Sequence, residues 1–372
     1  MKTLYESILT NTKDKISSVK TDLDKTIITD FIKEHYCDFD SIEIHERLGD
    51  DPSLAEWKRG RYQVKIIGDL RLHGSKLTTL THDLFYFWVV TGNFNCWFNK
   101  LKNLHGAPTH VYGNCSISNS PNMTSLAGLP MKIHGKCELQ SLPKIRSRTE
   151  MSDTELHGGF RLDRMIGVKS LNGVRMYCGK KDAPIEILDC PNITSISDLY
   201  IEQGVQCTGV WLKDVPKLKT LDGLPNRIWN GHRDNGSVKL INLGITNLNG
   251  CPSVINDKLT IFCDSIKDLM GCPDEVRGIE VHGEKLKSLK GAPKKVWDGG
   301  AKFDGNPNLV SLDMDTDYVN GNFCVQGCPK LKSLKNCPKV VDGGFYCDKR
   351  FTVQDVYDNC KPMSRNLIFN ED

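Results

Sequence analysis

Apolar residues recur along this chain in a fixed phrase of two leucine-like positions, a glycine, a proline and a β-branched residue. Leu101-Lys-Asn-Leu104-His-Gly106-Ala-Pro108 leads to Val111, and the phrase returns from Met123 to Ile133 and from Leu218 to Ile228. Further copies run from Ile266 to Val276, Leu286 to Val296 and Leu331 to Val340. Weaker ones begin at Leu77, Val168, Ile193, Ile245 and Leu309. Successive starts lie 20 to 27 residues apart, with one gap of 45 that a degenerate copy near Leu142-Pro143-Lys144-Ile145 fills. The two apolar residues three apart point inward, glycine permits a positive φ or a close backbone approach, and proline fixes the next corner. The β-branched residue opens a period-two stretch such as Val111-Tyr112-Gly113-Asn114-Cys115-Ser116-Ile117, which predicts a strand. One unit of this size cannot bury its apolar side alone, whereas stacked units share a continuous core. The pattern predicts a mainly β solenoid of 11–13 coils.

The two ends depart from the phrase. Within residues 1–60, Leu4, Ile8, Ile16, Val19 and Leu23, then Ile27, Ile28, Phe31 and Ile32, predict amphipathic helix. Asp50-Asp51-Pro52 reads as a turn, and Asp69-Leu70-Arg71-Leu72 as the first coil's strand. The expected organisation is a small helical or α+β N-terminal cap over 1–60, a solenoid over 61–350, and a C-terminal cap over 351–372 containing Val353, Val356 and Tyr357.

The phrase resembles the leucine-rich repeat family, especially its short bacterial subtype, through Leu77-Thr-Thr-Leu80 and Met123-Thr-Ser-Leu126-Ala-Gly128-Leu-Pro130. It is closer still to the Leu-x-Ser-Leu-x-Gly-x-Pro variant found in proteins of large tailed phages. The resemblance covers roughly residues 64–350. Glycine replaces the first proline of the bacterial motif, and the ladder asparagine is mostly missing. The opening Met1-Lys-Thr-Leu4-Tyr5-Glu-Ser-Ile8-Leu9 also resembles the start of otherwise unlike phage proteins, in some of which such a helix directs internal proteins into the assembling head. What the resemblance implies is a protein-binding solenoid or, as an alternative, a virion-internal or virion-associated structural protein.

Charge sharpens this picture. The whole chain is near balance at +3, but residues 61–350 carry +9 between an acidic front (−4) and an acidic tail (−2). No apolar run is long enough to span a bilayer, and Met1–Leu9 lacks a signal-peptide core. The fifteen cysteines are odd in number and fall largely in two repeated slots, which predicts reduced, small apolar side chains rather than disulfides or zinc ligands. Cys96, Cys115, Cys137, Cys263, Cys324 and Cys347 read as inward strand residues, and Cys251, Cys272, Cys328 and Cys337 as the slot before proline. The expected location is the cytoplasm, that of the host if the chain is phage-encoded, or the virion.

No nucleophile, phosphate-loop or metalloprotease motif is present, so no catalytic residue, cofactor or metal is expected. Two repeated exposed slots are candidates for binding. The residue after the strand-opening Val or Ile is Tyr112, His134, Trp229, Arg277 or Trp297, types favoured at interface hot spots. The residue after the first leucine is Lys102, Lys169, Lys219, Lys267, Lys287 or Lys332. The first slot predicts a protein partner; the second predicts an anion-binding stripe, with nucleic acid as the alternative partner. No membrane partner is expected.

Overall fold

The protein, seen in a computed structural model, is described over residues 20–34, 37–47, 60–74, 78–146, 154–177, 183–202, 207–229, 236–362 and 367–369. It is a parallel β-solenoid of about 12 turns with a small N-terminal helix. The helix expected over 4–19, the turn at Asp50-Asp51-Pro52 and Leu77 itself lie outside the described residues, whereas Leu80 of the copy that Leu77 opens is buried.

Each repeat contributes two strands rather than one. A short strand forms the first ladder, in which His110–Val111, Lys132–Ile133, Glu155–Leu156 and Arg175–Met176 pair in parallel register. A longer strand forms the second ladder, through Phe94–Trp97, Cys115–Ser118, Cys137–Gln140 and Phe160–Asp163. The period-two stretch from Val111 to Ile117 is therefore interrupted by a corner at Gly113. The reason is steric. A Cβ on Gly113 would sit 2.6 Å from the Gly92 backbone, and one on Gly135 would sit 2.5 Å from the Gly113 carbonyl. The N–H of Gly113 donates to the Gly92 carbonyl at 2.9 Å, and Gly135 donates to Gly113 at 3.0 Å, so glycine lets the corners stack. Later in the chain, Val254–Phe262 and Glu275–His282 run through both ladders as single strands.

A third side closes each coil, and here the leucine phrase lies. Leu101 and Leu104, Met123 and Leu126, Leu218 and Leu221, and Leu286 and Leu289 are all buried. They meet Val111, Ile133, Ile228 and Val296 from the first ladder and Phe94, Ile117, Leu212 and Val281 from the second, in one continuous core. Gly128 takes φ +92° as this side turns back toward the first ladder.

Polar side chains tie coil to coil at two corners. Beside the glycine corner, Asp69 accepts the Asn93 N–H at 2.7 Å, Asn93 accepts the Asn114 N–H at 2.8 Å, and Asn114 accepts the Lys136 N–H at 2.8 Å. At the exit of the second ladder, Asn99 donates to the Leu72 carbonyl (2.9 Å), and Asn306 donates to the Val281 carbonyl (3.0 Å) while accepting the Gly283 N–H (2.8 Å). Both asparagines are buried. Elsewhere the exit slot holds cysteine. The thiol of Cys263 donates to the Leu240 carbonyl (3.4 Å) and that of Cys328 to the Phe303 carbonyl (3.3 Å), the same strand position in the preceding coil. Asparagine and cysteine thus perform one task, satisfying a carbonyl where the chain leaves the ladder.

This arrangement revises three cysteine assignments. Cys263 occupies the exit slot rather than the strand interior, and Cys328, though followed by Pro329, occupies the exit slot rather than the phrase position filled by Ala107 before Pro108. Cys324 pairs with Lys302 and Tyr346 and so belongs to the outward column, under neighbouring side chains that leave it 8 % exposed. Cys96, Cys115, Cys137 and Cys347 are inward and fully buried, and Cys115 and Cys137 lie between Phe94 and Phe160 in one column as thin spacers. The thirteen cysteines whose side chains are described are all free. Burial pushes the thiols of Cys96 and Cys347 up to about 12 and those of Cys263 and Cys328 up to about 11.

At the N-terminal end, α1 (residues 20–34) buries Ile28 and Ile32. Strand β1 (Cys37–Glu46) pairs antiparallel with β2 (Tyr62–His73), whose Leu70–His73 portion enters the second ladder as expected for the first coil. The antiparallel strand covers an edge that would otherwise offer unpaired backbone groups. The Tyr62 hydroxyl donates to Asp24 at 3.0 Å and fastens α1 to the first coil. At the other end, α2 (Val353–Asn359) starts from a Thr352–Asp355 capping box. Both ladders run on past residue 350, through Lys361–Pro362 and Leu367–Phe369. No helix among the described residues is long and apolar enough to cross a membrane.

Candidate interaction surfaces

The slot after the first-ladder strand lies at the corner between the two ladders. Parallel register aligns it from coil to coil: the N–H of His134 donates to the Val111 carbonyl, and that of Trp297 to the Val276 carbonyl. Tyr112 and His134 stack with centroids 4.7 Å apart and planes 8° from parallel. The column continues through His157 (5.4 Å) and Tyr177 (5.9 Å), and Tyr200 leans on its end at 6.1 Å. A cleft of about 430 Å³ opens beside that end, lined by Arg175, Tyr177, Asp198 and Tyr200 among others. Tyr112 is 54 % exposed and Tyr200 52 %. His157 lies 3.3 Å from Glu155, and that ring, together with Lys132, holds the Glu155 carboxyl below the usual carboxylate range.

The remaining members of the slot form a separate group. In the coil after Tyr177 the slot is taken by Glu202, whose N–H donates to the Met176 carbonyl, and the aromatic column ends. Trp229 is 40 % exposed and carries the Arg227 guanidinium 5.6 Å from its ring centroid. Arg277 donates to Asp298 at 2.7 Å and lies 3.9 Å from Asp257, so its charge is already met within the chain. Trp297 is 38 % exposed in the next coil. The structure thus brings Tyr112 and His134 into contact and keeps Trp229, Arg277 and Trp297 on the same corner further along. Sequence reasoning missed His157, Tyr177 and Tyr200. The first two follow Leu156 and Met176, whose coils lack the Gly-x-Pro phrase that marks the frame.

The lysine slot lies on the leucine side. Its members are aligned by backbone bonds between coils: Thr124 to Lys102, Thr194 to Lys169, Lys267 to Thr246, Lys287 to Lys267, and Lys332 to Val310. All six lysines are exposed. On the ladder side several cations are met by carboxylates: Lys132 lies 3.3 Å from Glu155, Lys136 3.0 Å from Glu186, and Arg161 2.9 Å from Asp163. Among the described residues none of the six lysines has a carboxylate within 4.0 Å.

No group of three or more His, Cys, Asp or Glu side chains among the described residues could hold a metal ion. Comparison with protein-family models, with curated proteins and with solved structures found no match.

Proposed function

We propose that this chain is a non-enzymatic recognition scaffold that binds a protein partner along the corner between its two ladders. The observation that carries this reading is the surface column Tyr112–His134–His157–Tyr177, exposed at Tyr112 and half-buried along the rest, held in register by the parallel coils. Tyrosine and histidine fixed on a rigid backbone lose little entropy on docking, which favours binding by surface complementarity. The repeat phrase, and an exit slot that takes either asparagine or cysteine, support reading the chain as leucine-rich-repeat-like, of the kind large tailed phages encode. A virion-associated role draws on residues 1–9, outside the described region.

The test is affinity capture from the native host with the intact chain and with a Tyr112→Ala/His157→Ala/Trp229→Ala variant. A partner retained by the intact chain and lost by a variant of unchanged circular dichroism supports the reading. A partner retained equally by both overturns it.

A further inference from the structure

We infer that the leucine side of the solenoid is a backbone-binding surface for duplex nucleic acid, separate from the aromatic corner. Part of the positive charge of the solenoid forms a row without a carboxylate partner among the described residues. Lys102, Lys169, Lys219, Lys267, Lys287 and Lys332 occupy one repeated slot, exposed and without a carboxylate in reach among the described residues, whereas Lys132, Lys136 and Arg161 on the ladder side are paired. Lys267 and Lys287 sit in adjacent coils, ~4.8 Å apart by strand spacing and inside one Debye length of ~8 Å. Like charges at this separation repel, and a bound polyanion relieves the repulsion while releasing its own counterions.

The row also matches its ligand in length. From Lys169 it passes Thr194, Lys219, Thr246, Lys267, Lys287 and Val310 to Lys332, which at ~4.8 Å per coil spans ~34 Å, about one turn of a DNA duplex. Lys102 extends the row toward the N-terminal end. The chemistry points to phosphates rather than bases. Every cation in the slot is lysine, a point charge without the planar fork that reads guanine. The exposed apolar residues of this side, Ile166, Met270 and Val310, include no aromatic ring on which unstacked bases could sit. Three nearby carboxylates are engaged by hydroxyls and N–H groups: Asp222 accepts the Thr220 hydroxyl at 2.6 Å, Asp268 the Met270 N–H at 3.1 Å, and Asp313 the Ser311 hydroxyl at 2.5 Å and the Ser288 hydroxyl of the preceding coil at 3.3 Å.

The test is fluorescence anisotropy with a labelled 30-base-pair duplex of arbitrary sequence, titrated with the full chain from 50 to 200 mM KCl. Six phosphate contacts predict a log–log salt slope near −5, an affinity loss of about 40-fold per doubling of salt. A Lys219→Ala/Lys267→Ala/Lys287→Ala variant is expected to halve that slope, and the corresponding triple arginine variant to preserve it, which separates lost charge from lost folding. The inference is overturned by no duplex binding at 50 mM KCl or by a slope unchanged in the alanine variant. It is equally overturned if vesicles containing phosphatidylserine are bound and the duplex is not. Failure here leaves the aromatic corner untouched, because the two surfaces share no residue.

Discussion

Tyr112 and His134 lie face to face across neighbouring coils, ring centroids 4.7 Å apart and planes 8° from parallel. Each ring covers part of its neighbour's face, and the His157 Nε2 lies 3.3 Å from Glu155. His134 contacts rings on both sides, so His134→Ala is expected to cost about 1–2 kcal/mol and His134→Phe much less. Urea midpoints for the two variants check this; equal losses would remove the stacking account.

The exit slot makes a second prediction. Asn306→Ala leaves the Gly283 N–H and the Val281 carbonyl buried without their partner, at a cost of about 2–4 kcal/mol. Asn306→Cys restores a donor to the carbonyl and should recover roughly half of that loss. Chemical denaturation of both variants compares them directly.

Glycine at the leucine-side turn is required twice over at position 128. Its φ is +92°, and an added Cβ would meet the Leu104 backbone at 2.3 Å. Gly128→Ala is therefore expected to destabilise the chain by about 3 kcal/mol. A midpoint shift below about 1 kcal/mol would mean that the coils can separate locally.

Asp69 supplies a pH-dependent tie. Partial burial raises its pKa, but the hydrogen bonds from the Asn93 N–H and amide, with Arg71 beside them, outweigh burial and hold the carboxyl below the usual range. A carboxyl lowered in the folded state stabilises above the unfolded value of about 3.9, and that contribution is lost as pH falls through the lower folded value. Asp69→Asn keeps the acceptor, as Asn93 and Asn114 do in the next coils, and should flatten this part of the stability–pH curve between about pH 5 and pH 2. Urea midpoints across that window decide it.

The buried thiols should be inert in the folded chain. With Cys96 pushed up to about 12 and Cys190 and Cys207 up to about 11 by burial, little thiolate exists at neutral pH. Ellman's reagent at pH 8 is expected to modify Cys96, Cys190 and Cys207 slowly in native protein and fully in guanidinium. Rapid native modification of Cys96 or Cys207, mapped by mass spectrometry, would contradict the burial.

The core was legible because burial repeats with the phrase: Leu101, Leu104 and Val111 each announce an inward slot that recurs in coil after coil. The corner at Gly113 was not, because period-two alternation survives it, with Val111, Cys115 and Ile117 all inward. Parity misled at Cys324, which directly follows an inward Phe323, whereas Cys96 stands two residues after Phe94 and shares its face. Proline misled at Cys328, which stands three residues before Leu331, as Asn306 stands before Leu309. The corner slot was read at Tyr112 and His134 but not at His157, Tyr177 or Tyr200, and its division into two groups depends on Glu202, which ends the aromatic column.

Parallel in-register ladders also make the molecule a ruler. The bonds between coils join equivalent positions, so a coil can be excised whole and the remaining coils still meet. Deleting residues 267–286 joins Ile266 to Lys287, rebuilding the phrase with one rung fewer in each ladder and ~4.8 Å less length. The aromatic column lies wholly before that cut, whereas the lysine row is shortened by it. Length can therefore be adjusted beyond Trp229, with the loss of Arg277 from the corner, while the stacked column from Tyr112 to Tyr177 keeps its geometry.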